Sequence, residues 1–341
     1  MSDRPCWCGN IETMPFGPEY GRCTECDTLI CLAGPTDEDL KVVNDDTDYY
    51  GKQYWLEHQS KDLGLPDIYQ RARNDLSERV LHWMVALLKF RLPPAKVLEI
   101  GCSHGAFVSS MRNAGFDASG IEMSPWVVEF ARKTFDVPVS LGPVEELDIE
   151  AGSLDVIALM DVLEHLPDPQ ATMAHCMRLL KPDGLLLIQT PRFREEMRYE
   201  ILVEQEAPFL GMLRPDQHIF LFTERSVAKL FSALNAEHFT FMPAMFPEYD
   251  MFFGLSRQPL AEIPKRSADE ALMGSSQGRH VLALLDLEDR IRVIEADRAA
   301  RLNVIRQLDE LVRDRSLNTK TAFDNLSAWQ AIRGSVKRWI R

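Results

Sequence analysis

Long apolar runs are missing from this 341-residue chain. No stretch of eighteen consecutive apolar residues occurs, which excludes a membrane-spanning helix. The opening Met1-Ser2-Asp3-Arg4-Pro5 has no apolar segment of the secretory kind, so a cytoplasmic location is expected. Cations are also short: 38 Lys and Arg stand against 52 Asp and Glu, a formal net charge of −14. That balance opposes nonspecific attraction to nucleic acid or to an anionic membrane over most of the surface, and nucleic acid is not an expected partner. Cysteine is scarce beyond the start. Cys102 and Cys176 stand apart, while Cys6, Cys8, Cys23, Cys26 and Cys31 fall within the first 31 residues. A reducing compartment disfavours disulfides, so clustered thiols there point to a metal.

What is present is a 45% hydrophobic composition, enough for a substantial core, at a length that suits one large domain with appendages. Residues 1–35 carry Cys6-x-Cys8 and Cys23-x-x-Cys26 among glycines and prolines. Four thiolates from two short knuckles can surround a tetrahedral structural Zn²⁺, leaving no open position for catalysis, and the metal would hold a segment too small for its own core. Cys31, in Thr28-Leu29-Ile30-Cys31-Leu32, could substitute as a ligand but reads first as a buried strand residue. Residues 36–68 run from acidic to aromatic (Asp45-Asp46-Thr47-Asp48-Tyr49-Tyr50, then Tyr54-Trp55) and form either a connector packed on the main domain or a lid over a ligand. Apolar spacing at Ala72, Leu76, Val80, Trp83, Met84 and Leu87 predicts an amphipathic helix, ended by Pro93-Pro94.

From 96 to 255 strand and helix patterns alternate, which implies a parallel sheet with right-handed crossovers. Strands are expected near 97–101, 118–122, 138–141, 154–160 and 184–190, with an antiparallel pair near 237–242 and 250–255. Within this region Val97-Leu98-Glu99-Ile100-Gly101-Cys102-Ser103-His104-Gly105 reads as strand, glycine turn and helix start. The glycines allow close backbone approach to a ligand, and the helix N-terminus offers free N–H groups. Gly120-Ile121-Glu122 places an acid at the end of the next strand, where it suits a ribose diol.

The pattern Glu-x-Gly-x-x-x-Gly resembles the first motif of the class I S-adenosylmethionine (SAM) dependent methyltransferases. The resemblance continues through Leu154-Asp155-Val156-Ile157-Ala158-Leu159-Met160-Asp161-Val162-Leu163-Glu164-His165-Leu166-Pro167-Asp168-Pro169 and Leu180-Lys181-Pro182-Asp183-Gly184, in order and spacing, over roughly residues 75–255. Ser103 departs from the pattern, standing where many members have glycine. The resemblance implies an α/β, Rossmann-like seven-stranded sheet within a domain at 69–255. It also implies site roles. Gly101 and Gly105 would underlie the methionine part of SAM, and Glu99 would lie near its amino group. Glu122 would accept from both ribose hydroxyls and Met123 would pack on the adenine, with Val144 or Glu145 at the adenine edge. Asp161 would border the methionine and acceptor side.

Methyl transfer to a hydroxyl or carbon acid needs a base. His218, ahead of a helix that Thr223 can cap, and His165 are the candidates; His165 also has a structural role in such enzymes. Tyr199 and Glu195, in a 192–216 insert expected to shape the acceptor pocket, are weaker candidates for acceptor contacts. An Asn/Asp-Pro-Pro-Tyr/Phe motif is missing, which argues against amino-methylation of nucleobases. Residues 256–280 read as a linker. At 281–315, Leu284, Leu287, Ile291, Ile294, Ile305, Leu308 and Val312 keep three-and-four spacing, with Arg298 and Arg301 interrupting the seam, which predicts a coiled-coil helix and a homo-oligomer. The 316–341 tail ends in a basic stretch with Trp329 and Trp339. It suits either peripheral contact with the inner face of the cell membrane or docking on a partner such as a glycosyltransferase.

The whole arrangement resembles methyltransferases of sugar and surface-polysaccharide (O-antigen type) biosynthesis. The expectation is therefore a SAM-dependent enzyme methylating a sugar hydroxyl, or a carbon, of a glycan, lipid-linked polysaccharide or nucleotide sugar. The alternatives are a methyltransferase for a soluble natural product or quinone, and a SAM-binding assembly scaffold.

Overall fold

The computed structural model describes the backbone over residues 4–36 and 39–336 and the side chains through residue 313, Leu311 apart. Two compact units divide at Leu285 and Asp286. In the first, three short strands open the chain: β1 (Thr13–Phe16), β2 (Tyr20–Cys23) and β3 (Leu29–Cys31). The main sheet uses β4 (Lys96–Ile100), β5 (Asp117–Glu122), β6 (Val139–Leu141), β7 (Leu154–Met160) and β8 (Leu180–Pro191). After β9 (Phe220–Leu221) it is completed by β10 (His238–Met242) and β11 (Asp250–Ser256), in the order β10-β11-β8-β7-β4-β5-β6. The β4, β5, β6, β7 and β8 ladders are parallel, and β11 lies antiparallel between β8 and β10. This is the seven-stranded Rossmann-like sheet expected from the sequence.

Period-two alternation decides which side chains enter which layer. Val156 and Ala158 of β7 join the core with Trp83, Met84 and Phe107, while Ile157 and Leu159 join the opposite core with Met173, Cys176 and Phe231. The crossover helices open on local signals. Ser124 caps Pro125–Phe135, Asp168 caps Pro169–Leu179, and Thr223 caps Glu224–Ser232 through a capping box with Ser226.

The cysteine-rich N-terminus is built into this unit. Strand β3 pairs antiparallel with β9, matching Leu29 to Leu221 and Ile30 to Phe220, so that β1-β2-β3-β9 form a second sheet. Phe16, Tyr20 and Leu29 share a small core with Phe193, Leu202 and Phe209 of the 192–216 insert. Cys31 is a buried strand residue, as read from the sequence.

Residues 256–280 are not the loose linker expected from their prolines and glycines. A helix forms at Lys265–Leu272, because Pro264 precedes its first turn and Ala268 and Leu272, four apart, present one apolar face. Both are buried in the main core with Val281 and Leu285 of the next helix, Ser276–Val336, so the packed unit extends past 280. In the second unit, the continuation of that helix leaves Leu287, Ile291, Ile294, Ile305, Leu308 and Val312 exposed, each at 50% or more. Arg298 and Arg301 pair with Glu295 and Asp297 along the same helix. The helical backbone runs to Val336; the amphipathic face ascribed to the tail rests on side chains outside the described ones, and residues 337–341 are outside altogether.

Candidate functional site

The carboxyl ends of β4, β5 and β7 carry the predicted cofactor residues side by side. After β4 the chain turns through Gly101 (φ +68°), Ser103 (φ +47°) and Gly105 (φ +86°) into the helix Ala106–Ala114. A Cβ on Gly101 would stand 2.6 Å from Val162 Cγ2, so that position excludes side chains by space as well as by φ. Ser103 adopts the left-handed conformation that glycine supplies elsewhere, at the cost of some backbone strain. Glu122 ends β5 with its carboxylate held by three backbone amides: Met123 (2.8 Å) and Ser124 (3.3 Å) donate to Oε1, and Ser103 (3.0 Å) to Oε2. It thereby ties the glycine turn to the second strand.

Two buried polar atoms in this cradle have no hydrogen-bond partner, Glu99 Oε2 and Ser103 Oγ. Burial, then the neighbouring Glu122 charge, pushes the Glu99 carboxyl well above its usual value. An orphaned carboxylate oxygen beside a glycine turn fits a ligand that brings an ammonium group and hydroxyls, which are the polar groups of SAM. Met123 follows Glu122 and is half-buried. Val144 is buried in the core that also holds Ile100, Ile121 and Leu159, while the Glu145 carboxylate accepts from Thr172 Oγ1 at 2.5 Å. Asp161, just past β7 at φ +59°, accepts from Arg79 Nη1 (3.0 Å) and Gln189 Nε2 (2.9 Å). Arg79 was not legible as a site residue, because its partner lies 82 positions away.

Beside Asp161, the turn Leu163–His165 faces the segment ending in His218. Ile219 N–H donates to Glu164 O (2.9 Å), so the two stretches are stitched together through the backbone. The imidazole rings of His165 and His218 meet edge to face at 4.9 Å. His165 Nδ1 lies 2.9 Å from Gln217 O and His218 Nδ1 2.7 Å from Met212 O. A carbonyl only accepts, so each Nδ1 carries the proton and each neutral ring keeps a lone pair on Nε2. Burial pushes His165 down to about 4 and His218 well below its ordinary value, which holds both rings neutral. Glu164 is 1% exposed, accepts from Thr190 Oγ1 at 2.9 Å, and is pushed well above the carboxylate range by burial and then by Asp161.

The aromatic connector closes this corner. Tyr50 Oη lies 3.2 Å from His165 Nδ1. Tyr49 Oη donates to Asp216 Oδ2 (2.5 Å), Gln217 Nε2 donates to Tyr49 Oη (2.9 Å), and Tyr54 Oη donates to Gln217 Oε1 (3.3 Å). On the cofactor side Ser124 Oγ donates to Asp45 Oδ1 (3.0 Å). The segment thus spans both halves of the site. Tyr199 and Glu195 serve the N-terminal segment instead of this corner: Tyr199 packs on Phe16 at 6.0 Å, and Arg22 Nη1 donates to Glu195 O (2.8 Å). The insert's long apolar side chains are spent on that small core.

The four predicted thiols converge. Cys6 and Cys26 lie 3.4 Å apart, Cys8 and Cys23 3.7 Å apart, and all four Sγ atoms lie within 4.8 Å of one another. Around a tetrahedral zinc with Zn–S near 2.3 Å the sulfurs stand roughly 3.8 Å apart, so the set fits such an ion. Tyr20 Oη, on β2 of the same segment, donates to His218 O (3.0 Å), and Cys31 N–H donates to Ile219 O (2.9 Å).

Among known proteins, a family described as a methyltransferase domain matches residues 69–238. The ubiquinone biosynthesis O-methyltransferase of Xanthomonas oryzae pv. oryzae is 38% identical over 105 residues, 29% of this chain and 44% of that protein. Its counterpart in Xanthomonas axonopodis pv. citri is 39% identical over 108 residues, 29% of this chain and 45% of that one. The chain thus matches less than half the length of these curated relatives. Among solved structures, the magnesium protoporphyrin IX methyltransferase of Synechocystis PCC 6803 is similar at 18% identity and a TM-score of 0.41, covering 56% of this chain and 86% of that one. The geranyl diphosphate C-methyltransferase of Streptomyces coelicolor A3(2) is similar at 12% identity and a TM-score of 0.42, covering 52% and 78%. With the motif order, the sheet order and the family match in agreement, residues 69–238 are a class I SAM-dependent methyltransferase domain.

Proposed function

We propose that this protein transfers the methyl group of SAM to a hydroxyl oxygen of a small aromatic acceptor of the quinone type. The observation that carries the proposal is the pair of neutral imidazoles, His165 and His218, with Tyr50 against His165, next to the cofactor cradle. Such a corner can seat a flat ring and take a hydroxyl proton. As the acceptor oxygen attacks, its O–H proton passes to an Nε2 lone pair and then to water. The sulfonium S–CH₃ bond breaks, the O–CH₃ bond forms, and the thioether product leaves. SAM supplies the activated carbon; the chain aligns it and accepts the proton. The names of the curated relatives favour this acceptor over the glycan suggested by the chain's overall arrangement.

Purified protein with labelled SAM should methylate hydroxylated aromatic compounds, and His218→Gln should lower kcat by about a hundredfold or more with SAM affinity kept. Label appearing only in polysaccharide or only in RNA would sink the reading.

The four N-terminal thiolates are proposed to hold one structural zinc, in keeping with their convergence. Self-association is proposed along the exposed seam, whose Leu287, Ile291 and Ile294 spacing suits a helix partner. Ile291→Asp with Ile294→Asp should reduce the mass seen by light scattering to that of a monomer. The unfolding temperature of the first unit should stay fixed, since both side chains are more than half exposed. An unchanged mass would remove the seam from the proposal.

A further inference from the structure

Glu164, His165 and His218 form a cluster that proton abstraction alone does not explain. A single base would serve that step, yet two imidazoles and a carboxylate meet here, with their ligand atoms within 4.8 Å of one another. His165 Nε2 stands 3.8 Å from Glu164 Oε1. Each ring has its Nδ1 proton anchored on a backbone carbonyl, Gln217 O at 2.9 Å and Met212 O at 2.7 Å. That arrangement fixes the tautomer with the Nε2 lone pair free, as in metal-ligating histidines held by an outer hydrogen bond. The carboxylate is oriented in the same way, by the Thr190 hydroxyl on β8. The Asp161 carboxylate lies close enough to act on Glu164.

We infer that Glu164, His165 and His218 are the ligands of a divalent transition-metal ion, two imidazole nitrogens and one carboxylate oxygen on one side with the remaining positions open. The inference rests on the reading of this corner as the place where the acceptor hydroxyl loses its proton. Two imidazoles and a carboxylate with open positions suit zinc, manganese, iron or cobalt better than magnesium or calcium, which favour all-oxygen sets. Around a tetrahedral ion with bonds near 2.1 Å the ligand atoms stand about 3.4 Å apart, so the Glu164–His165 pair is already close to that spacing. With both Nε2 lone pairs engaged by the ion, an acceptor oxygen placed on it would give its proton directly to water instead of to an imidazole, and at a lower pH, because a bound cation lowers the pKa of an attached hydroxyl group. The ion keeps its oxidation state, and the methyl group still passes from sulfur to oxygen.

The site is structurally distinct from the thiolate cluster, which makes it separable by spectroscopy. Full-length protein carrying zinc on its thiolates would be titrated with Co²⁺, followed by visible absorption and by metal analysis. The expected result is one further equivalent per chain, with ligand-field bands and no thiolate-to-cobalt charge transfer. Glu164→Gln and His218→Gln should each weaken that binding by more than about tenfold, while SAM binding and the unfolding temperature confirm that the variants are folded. Should Glu164→Gln not fold, His165→Gln carries the same test, since that side chain is 25% exposed. A chain that takes up no cobalt beyond the thiolate cluster, or binds it equally well in the folded variants, overturns the inference. Cobalt binding lost in the variants upholds it. Because the readout needs no acceptor, the two readings fail separately. Hydroxyl methylation by a chain with no second cation would leave the proposed function standing without this site. A bound cation without hydroxyl methylation would do the reverse.

Discussion

Glu122→Ala should abolish SAM binding in the working range, with affinity falling at least about a hundredfold by calorimetry. The magnitude follows from what the carboxylate can do. Hydrogen bonds to an ionised group are worth about 1.5–3 kcal/mol each, and two to a ribose diol together exceed a factor of one hundred. Glu122 also gathers the amides of Ser103, Met123 and Ser124, so its loss would free the glycine turn from the second strand. Burial raises its carboxyl pKa, and the three amides oppose that shift. Glu122→Gln is therefore the sharper companion: it keeps the volume but must aim an amide N–H₂ at backbone donors, and it should bind SAM nearly as poorly as Ala. Retained affinity in both variants would place the nucleoside elsewhere. Gly101→Ala should add a separate loss, because a Cβ there lies 2.6 Å from Val162 and φ is +68°.

The glycine turn and the Glu122 that meets it were legible because their signals are local. A strand, a glycine turn, a helix start and an acid ending the next strand fall within residues 97–122, and the parallel pairing of β4 with β5 brings that acid to the turn. The same holds for the Thr223 cap and for the antiparallel pair β10 and β11. What the sequence left dark is what depends on distance along the chain. Arg79 meets Asp161 across 82 residues, and Tyr20 reaches His218 O across 198. No local signal marks Glu164 as buried; only the fold shows it to be 1% exposed and bonded to the Thr190 hydroxyl. The 256–280 segment misled through its prolines and glycines, which set the ends of a packed helix instead of preventing one.

Loss of the zinc proposed for the N-terminal thiolates should disorder more than the knuckle itself. Without an ion, only weak S–H···S hydrogen bonds at 3.4 and 3.7 Å join the four thiols in two pairs. Structural zinc in small domains contributes about 10–16 kcal/mol of apparent binding free energy, which is folding free energy when the apo segment is loose. Here the segment keeps part of its support, because Phe16, Tyr20 and Leu29 pack on Phe193, Leu202 and Phe209. The expected loss is correspondingly smaller, several degrees or more in unfolding temperature after strong chelation or in Cys23→Ser with Cys26→Ser. The sharper readout lies across the sheet. Strand β3 pairs with β9, Cys31 N–H holds Ile219 O, and Tyr20 holds His218 O, so a loosened knuckle releases the strand that follows His218. Amide exchange at Ile219 and Phe220 should accelerate along with that at Leu29 and Ile30, while the amides of β4 and β5 keep their protection. kcat should fall with SAM affinity preserved, since the cradle of Gly101, Gly105 and Glu122 belongs to the main sheet. Faster exchange confined to residues before β3, with kcat unchanged, would make the thiolate cluster an appendage with no hold on the site.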